Sequence, residues 1–162
     1  MIALAACLVA AASCKPGAGS AGAPAPLRPS PAAASYDLGR DERLGGHTLA
    51  RHVGRSDREL ADRLRNDRQL AAASSYTDRA TAETVVAETL SRSRARVAAW
   101  LARTGSRPTL ALEYDGPPDH PVGRVLRRGE SRGTPASDAL VVLEWAGSGE
   151  FFVLTSYPEV RR

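Results

Sequence analysis

The residue pattern of this chain changes near Gly105, and this change limits the fold more than any other feature. Before Gly105, apolar residues recur at helical spacing, as in Val86, Leu90, Val97 and Leu101. After it, strand-like segments alternate with turns rich in Gly and Pro, and they cover residues 109–114, 122–126, 140–145 and 151–156. Helices followed by strands predict an α+β domain, with N-terminal helices packed on a C-terminal antiparallel β-sheet.

Local signals predict three helices before Gly105, over residues 47–53, about 57–66 and about 78–103. Residues 71–76, between the second and the third helix, are predicted to be an extended connection. Gly54 is a suitable residue for the end of the first helix. Ser56 and Glu59 form a capping box that opens the second. Trp100, Trp145 and Phe151 are expected in the core.

Cysteine is confined to the first fourteen residues, as Cys7 and Cys14. From Lys15 onward the chain has no thiol, so neither a disulfide framework nor a thiolate zinc site can form there. The fold is therefore predicted to be held by its hydrophobic core alone.

The basic residues are almost all arginine, since Lys15 is the only lysine among 22 basic residues. A guanidinium has a fixed charge and a donor geometry that suits phosphate, whereas covalent lysine chemistry is excluded from the domain. The net charge is +4, and Lys15 and Arg28 precede the domain, which leaves +2. That charge is too small to indicate an RNA-binding surface by itself.

Residues 1–14 are predicted to be a signal peptide, because the apolar run over residues 2–12 is shorter than the roughly 20 residues that cross a bilayer. The sequence up to Cys14 is similar to a bacterial lipobox, which would make Cys14 a lipidated N-terminus. Lipid anchoring at the cell envelope and plain secretion both remain open. Residues 15–36 contain five of the eleven prolines and predict a linker, so the folded domain is expected over residues 37–162.

Motifs for metal and cofactor chemistry are missing from the sequence. It has no Gly-rich phosphate loop after a strand, no zinc deaminase pattern and no His-Glu-x-x-His. His47 and His52 are five residues apart, which places them on different sides of a helix, and His120 lies in a Pro-rich turn. We therefore expect neither a metal site nor a cofactor.

Several blocks of the domain share their order and spacing with one known family. They read Gly-Gly-His-Thr-Leu-Ala-Arg-His-Val-Gly at 45–54, Leu-Ala-Asp-Arg-Leu at 60–64, Ala-Ser-Ser-Tyr-Thr-Asp-Arg-Ala-Thr-Ala-Glu at 73–83 and Val-Leu-Thr-Ser-Tyr-Pro at 153–158. With these blocks the chain resembles, over about residues 38–160, the ribonuclease A-like toxin domain of bacterial contact-dependent growth inhibition proteins. The resemblance implies a ribonuclease A-like fold without disulfides.

The resemblance also implies an active site. Its His, Arg, Thr and Tyr fall on His52, Arg63, Thr155 and Tyr157. The interval of eleven residues also separates His47 from Arg58, so spacing alone does not choose between the histidines, and the His-Val-Gly block selects His52. Further candidates for binding substrate are His47, Ser74 and Tyr76.

These four residue types suit metal-independent RNA cleavage, in which the 2′-OH attacks the phosphate and leaves a 2′,3′-cyclic phosphate. Histidine exchanges protons near neutral pH, and Arg63 offers paired N–H donors to a phosphorane. Thr155 and Tyr157 share one face of a strand. Tyr157 would donate a proton or orient the phosphate, and Thr155 would bind the phosphate or a base edge.

The expected protein is thus an exported endoribonuclease toxin that is monomeric, needs no cofactor and acts in the cytoplasm of a target cell. The family implies a cognate immunity protein as partner, besides RNA. Two alternatives stay open. One is an ADP-ribosyltransferase-type toxin, which also uses Arg, His and Tyr, and the other is a non-catalytic exported lipoprotein that serves as a binding module.

Overall fold

The computed structural model describes residues 36–161, so the predicted leader, the linker up to residue 35 and Cys14 lie outside the described residues. Five helices and six strands follow in the order α1 (Leu38–Arg43), α2 (Thr48–His52), α3 (Asp57–Asn66), β1 (Ala72–Tyr76), α4 (Arg79–Arg92), α5 (Arg94–Leu101), β2 (Leu110–Tyr114), β3 (Gly123–Arg127), β4 (Thr134–Ala136), β5 (Asp138–Gly147) and β6 (Glu150–Glu159). No helix within residues 36–161 has the length and apolar character needed to cross a membrane.

The predicted α+β class with antiparallel strands is confirmed, but the strands form two sheets rather than one. Sheet A has the order β1-β3-β4, and sheet B has the order β2-β5-β6. All the strand pairs within these sheets are antiparallel. The predicted extended connection before α4 is strand β1, which pairs with β3 along its whole length. One strand of sheet A thus precedes the long helices.

The main core lies between sheet B and the helical layer. Val141, Leu143 and Val153 from sheet B are fully buried, as is Val86 from α4. Trp100 from α5 joins this core, as the sequence predicted, and its indole Nε1 donates a hydrogen bond to the Pro108 carbonyl oxygen at 2.8 Å. A second, smaller cluster fixes α3 on sheet A through residues Leu60, Leu64, Ala73 and Leu126.

The long helix predicted over residues 78–103 is two helices. Asp78 caps α4 by accepting a hydrogen bond from the Thr81 amide. Ser93 then ends α4 and precedes α5, with φ −100° and ψ 13°. Serine competes for backbone hydrogen bonds and tolerates such a break.

Helix α1 over residues 38–43 was not among the predicted elements; it begins where the Asp37 side chain accepts a hydrogen bond from the Gly39 amide. Two other expectations were wrong. Thr134 and Pro135, predicted as part of a Gly- and Pro-rich turn, pair with β3 in strand β4. Trp145 is 40 % exposed rather than buried, because it lies beyond the core near the tip of the β5–β6 hairpin, where the Arg107 guanidinium stacks 4.2 Å from its ring centre.

Candidate active site

A cavity of about 470 Å³ lies where α2, α3, sheet A and strand β6 meet. The helices contribute His47, His52 and Arg63 to its wall, and β6 contributes Thr155 and Tyr157. Further wall residues come from β1, β3, the end of β6 and the adjoining segments: Leu70, Ala72, Ala73, Ser74, Val125, Arg127, Pro158, Glu159 and Val160. Three separate elements therefore place the four predicted site residues around one space.

His52 ends α2 and is fixed against β1. Its Nδ1 lies 3.1 Å from the Ser74 carbonyl oxygen, and the Gly54 amide donates to the Tyr76 carbonyl oxygen at 3.1 Å. Gly54 has φ +67°, a conformation that glycine adopts without strain. Because a carbonyl oxygen only accepts hydrogen bonds, Nδ1 of His52 carries the proton and Nε2 keeps a free lone pair.

Burial lowers the pKa of His52 from its ordinary 6.5 to about 4. The side chain loses hydration in the cavity wall, where the residue is 7 % exposed. The hydrogen bond to Ser74 opposes this shift, and the positive charge of Arg63 adds to it. His52 is therefore neutral at pH 7 and able to accept a proton.

Helix α2 has only five residues and is held by side chains from its neighbours. Its His47 N-cap has no capping side chain of its own, and the Glu42 carboxylate accepts from the Leu49 amide at 2.8 Å. The Thr48 hydroxyl accepts from the Ser156 amide at 2.8 Å, and the His47 amide donates to the Leu154 carbonyl oxygen at 3.0 Å. The last two hydrogen bonds join the start of α2 to β6, the strand that carries Thr155 and Tyr157.

Two features of the α1–β6 contact keep this junction close. Buried Asp41 accepts a hydrogen bond from the Val153 amide at 3.0 Å. A Cβ atom on Gly46 would lie 2.5 Å from the Val153 carbonyl oxygen, so only glycine fits there. Burial raises the pKa of Asp41, which makes this carboxyl a weaker acid than usual.

Arg63 extends from α3, whose start is the predicted capping box with both hydrogen bonds between Ser56 and Glu59 present. Its Nη1 donates to the Arg51 carbonyl oxygen at 3.4 Å. Within residues 36–161 no carboxylate lies at ion-pair distance from the Arg63 guanidinium, as the ion pairs found there involve other arginines. Burial and then the nearby Arg51 lower the pKa of Arg63, and the charge of Asp67 opposes this shift.

Thr155 and Tyr157 lie two residues apart on β6 and both line the cavity. The Thr155 hydroxyl is buried and has no hydrogen-bond partner in the part of the chain that the structure describes. The Tyr157 ring centre lies 5.3 Å from that of His52. Burial raises the pKa of Tyr157, and the charge of Glu159 adds to this, so the phenol stays protonated at neutral pH.

Of the three further candidates for binding substrate, two line the cavity and one does not. His47 and Ser74 line the cavity, and burial lowers the pKa of His47. Tyr76 lies outside it, since its side chain is buried in the core and its hydroxyl is 2.6 Å from that of Ser156. Tyr76 therefore belongs to the packing between β1 and β6 rather than to the groove. His120 is not among the residues that line the cavity.

Sequence reasoning missed two charged residues of the cavity, Arg127 on β3 and Glu159 on β6. The strand was predicted to end at residue 156, whereas β6 continues to Glu159. Alternation beyond Tyr157 would have found Glu159, because Thr155, Tyr157 and Glu159 occupy every second position. Arg127 gave no such signal, since its role depends on the pairing of β1 with β3.

Metal ligands are scattered over the described part of the chain. Within residues 36–161, no three side chains of His, Cys, Asp or Glu stand close enough together to hold an ion. The residues that line the cavity instead carry two imidazoles, three hydroxyls, two guanidiniums and one carboxylate.

Comparison with known proteins agrees with this fold and with the blocks in the sequence. Residues 46–158 match the family model of the bacterial CdiA-CT RNAse A domain. The chain belongs to this family, which makes it a ribonuclease-type toxin domain of contact-dependent growth inhibition. It is similar to a chain in the crystal structure of a CdiA-CT/CdiI complex from Y. kristensenii 33638, with 26 % identity, a TM-score of 0.62 and coverage of 71 % of this chain and 100 % of that chain. No curated protein matches it.

Proposed function

We propose that this protein cleaves RNA without a metal ion, by attack of a ribose 2′-OH on the adjacent phosphate, and releases a 2′,3′-cyclic phosphate and a 5′-OH. One observation carries the proposal. Buried His52, which is neutral at pH 7 and has its Nδ1 bound to the Ser74 carbonyl oxygen, lines one cavity with Arg63, Thr155 and Tyr157.

In this mechanism His52 is the general base. Its Nδ1–H stays bound to the Ser74 carbonyl oxygen, and Nε2 takes the proton of the 2′-OH while O2′ forms a bond to phosphorus. The lowered pKa ensures that the unprotonated form is present at neutral pH. Binding of a phosphate raises the pKa of this imidazole, which favours the proton transfer.

Arg63 and Thr155 stabilise the phosphorane. Arg63 places two N–H donors against the non-bridging oxygens, where negative charge develops. Its charge has no carboxylate partner within residues 36–161, so a phosphate does not have to displace one. The Thr155 hydroxyl, buried without a partner in the same range, gains a hydrogen bond when the phosphate enters.

Tyr157 is the general acid. Its phenol donates a proton to O5′ as the P–O5′ bond breaks, so the leaving group departs as a neutral alcohol. The raised pKa keeps the phenol protonated until the strongly basic alkoxide forms. The proton gained by His52 then returns to Tyr157, directly or through solvent, and restores both groups. Atoms and charge balance without any other reactant.

The biological setting follows from the family. The similar structure contains a CdiI chain with its CdiA-CT chain, and this chain accordingly pairs with a cognate immunity protein in the producing cell. The domain of residues 37–162 acts in the cytoplasm of a target cell after export. Residues 1–14 direct that export, residues 15–36 link the leader to the domain, and Cys14 is the candidate for lipidation.

The direct test incubates the purified chain with total RNA in EDTA, with and without reductant. We expect the same cleavage in all conditions, because no described step uses a metal or a disulfide. His52→Asn should abolish most of it, since the amide nitrogen still donates to Ser74 but cannot accept the 2′-OH proton. A requirement for added divalent metal, or undiminished cleavage by folded His52→Asn, would contradict the proposal. Nicotinamide release from NAD would indicate the ADP-ribosyltransferase alternative.

A further inference from the structure

A carboxylate is unexpected in a groove that binds RNA, because phosphates repel it. Glu159 nevertheless lines the same cavity as His52 and Arg63. Its side chain is 29 % exposed, and its Oε1 accepts a hydrogen bond from Arg161 Nε at 2.7 Å. Arg161 uses only part of the acceptor capacity of this carboxylate, so a ligand group that donates hydrogen bonds can still bind it. The donors that RNA offers, besides its hydroxyls, are the N–H groups on the edges of its bases.

The position of Glu159 fits a base next to the reacting phosphate. Glu159 follows Thr155 and Tyr157 on the same face of β6, about 7 Å along the strand from Tyr157 and about 13 Å from Thr155. A base attached beside a phosphate that Arg63 and Thr155 hold can extend in this direction. Glu159 is the carboxylate that it meets among the residues lining the cavity.

Other residues of the cavity wall suit a base as well. Leu70, Val125 and Pro158 provide apolar wall that can cover the face of a ring. Arg127 stands on the sheet A side, and no carboxylate within residues 36–161 pairs with its guanidinium. Its positive charge offsets the repulsion between the Glu159 carboxylate and the phosphates of the RNA backbone.

We propose that Glu159 is a specificity-determining residue that makes the enzyme prefer guanine at this position. Guanine alone presents two adjacent donors, N1–H and the N2 amino group, which match the two oxygens of a carboxylate. Adenine and cytosine offer a single amino group beside acceptors, and uracil offers one N–H between two carbonyl oxygens. Arg161 leaves Oε2 of Glu159 free and Oε1 with a second lone pair. This inference depends on the proposed function for its link to cleavage.

The test uses DNA oligonucleotides with a single ribonucleotide, so that only one linkage contains a 2′-OH. The base on either side of that linkage is varied through guanine, inosine, adenine, cytosine and uracil, and kcat/KM is measured for each. We expect a preference for guanine on one side of roughly 5- to 100-fold, the range for a paired contact to a base. Inosine, which lacks the N2 amino group, should lose much of it.

Two variants with the same chemical change separate base reading from charge. Glu159→Gln should bring the five substrates to within about threefold of one another, because an amide cannot accept both guanine donors. Glu113→Gln is the matched control, since Glu113 also contacts Arg161, at 3.3 Å, but is 65 % exposed and outside the cavity wall. Glu113→Gln should keep the preference for guanine.

Binding of fully 2′-deoxy oligonucleotides distinguishes a failure of this inference from a failure of the proposed function. Tighter binding of the guanine sequence that is lost in Glu159→Gln supports base reading even if no RNA is cleaved. Cleavage with equal kcat/KM for all bases, or a guanine preference that Glu159→Gln retains, overturns the role of Glu159 and leaves the proposed function standing.

Discussion

The low pKa of His52 predicts an unusual response to acid. A histidine with an ordinary pKa of about 6.5 is about nine-tenths protonated near pH 5.5, and an enzyme that depends on it as a base loses about tenfold in kcat/KM. His52, with a pKa of about 4, stays more than nine-tenths neutral there. The difference of about 2.5 pH units corresponds to roughly 3 kcal/mol against protonation in the folded state. The acid limb of kcat/KM should therefore lie near pH 4.

The assay measures initial cleavage of a fluorogenic oligonucleotide with one ribonucleotide, far below KM, from about pH 3.5 to 8. Under these conditions the profile reports the free enzyme. Fluorescence of the two tryptophans, recorded at each pH, shows whether the chain is still folded. The kcat profile should have its acid limb at a higher pH, because a bound phosphate raises the pKa of His52.

His47 provides the control, since it lines the same cavity and burial lowers its pKa as well. His47→Gln should keep the acid limb near pH 4, moved only slightly upward, because the charge of His47 contributes to lowering the pKa of His52. An acid limb of kcat/KM near pH 6.5 in folded protein would refute the assignment of a buried, neutral His52 as the base. Loss of the acid limb in folded His47→Gln would transfer that role to His47.

Four further changes test other parts of the account. Arg63→Lys should lower kcat/KM by up to about a hundredfold at an unchanged melting temperature, because lysine keeps the charge but loses the paired donors. Tyr157→Phe should cost about 10²- to 10⁴-fold in kcat, with its ring packing intact. The raised pKa of Asp41 favours folding only while this carboxyl is protonated, so the parent loses free energy of unfolding as the pH rises from about 4 to neutral. Asp41→Asn lacks this loss, and urea unfolding should therefore show its free energy of unfolding rising relative to that of the parent over this pH range. Cys14→Ser should reduce membrane association without changing RNA cleavage; unaltered association would leave plain secretion.

Local signals in the sequence were sufficient for the elements that form by themselves. The Ser56–Glu59 capping box and the Leu60/Leu64 stripe depend only on neighbouring residues, and both are present in α3. The break at Ser93 was not predictable in this way, because the helical spacing of apolar residues continues across it. Ser93 alone, with φ −100° and ψ 13°, separates the two helices.

The site shows the same division. The four sequence blocks predicted that His52, Arg63, Thr155 and Tyr157 belong to one site, and in the structure all four line one cavity. Nothing in the sequence indicated that the Ser74 carbonyl oxygen would fix the His52 ring, because 22 residues separate them. The pKa of His52 depends on this long-range packing, and so does the fraction of His52 that is unprotonated at a given pH.

The central claim is that a 2′-OH attacks the phosphate at the His52 cavity, and the ends of the products test it most directly. A single-ribonucleotide substrate is cleaved in EDTA, and the fragments are weighed by mass spectrometry, beside the fully 2′-deoxy substrate. The account predicts a 2′,3′-cyclic phosphate on one fragment, a 5′-OH on the other and no cleavage of the deoxy strand. A 5′-phosphate with a 3′-OH, or cleavage of the deoxy strand, would contradict it.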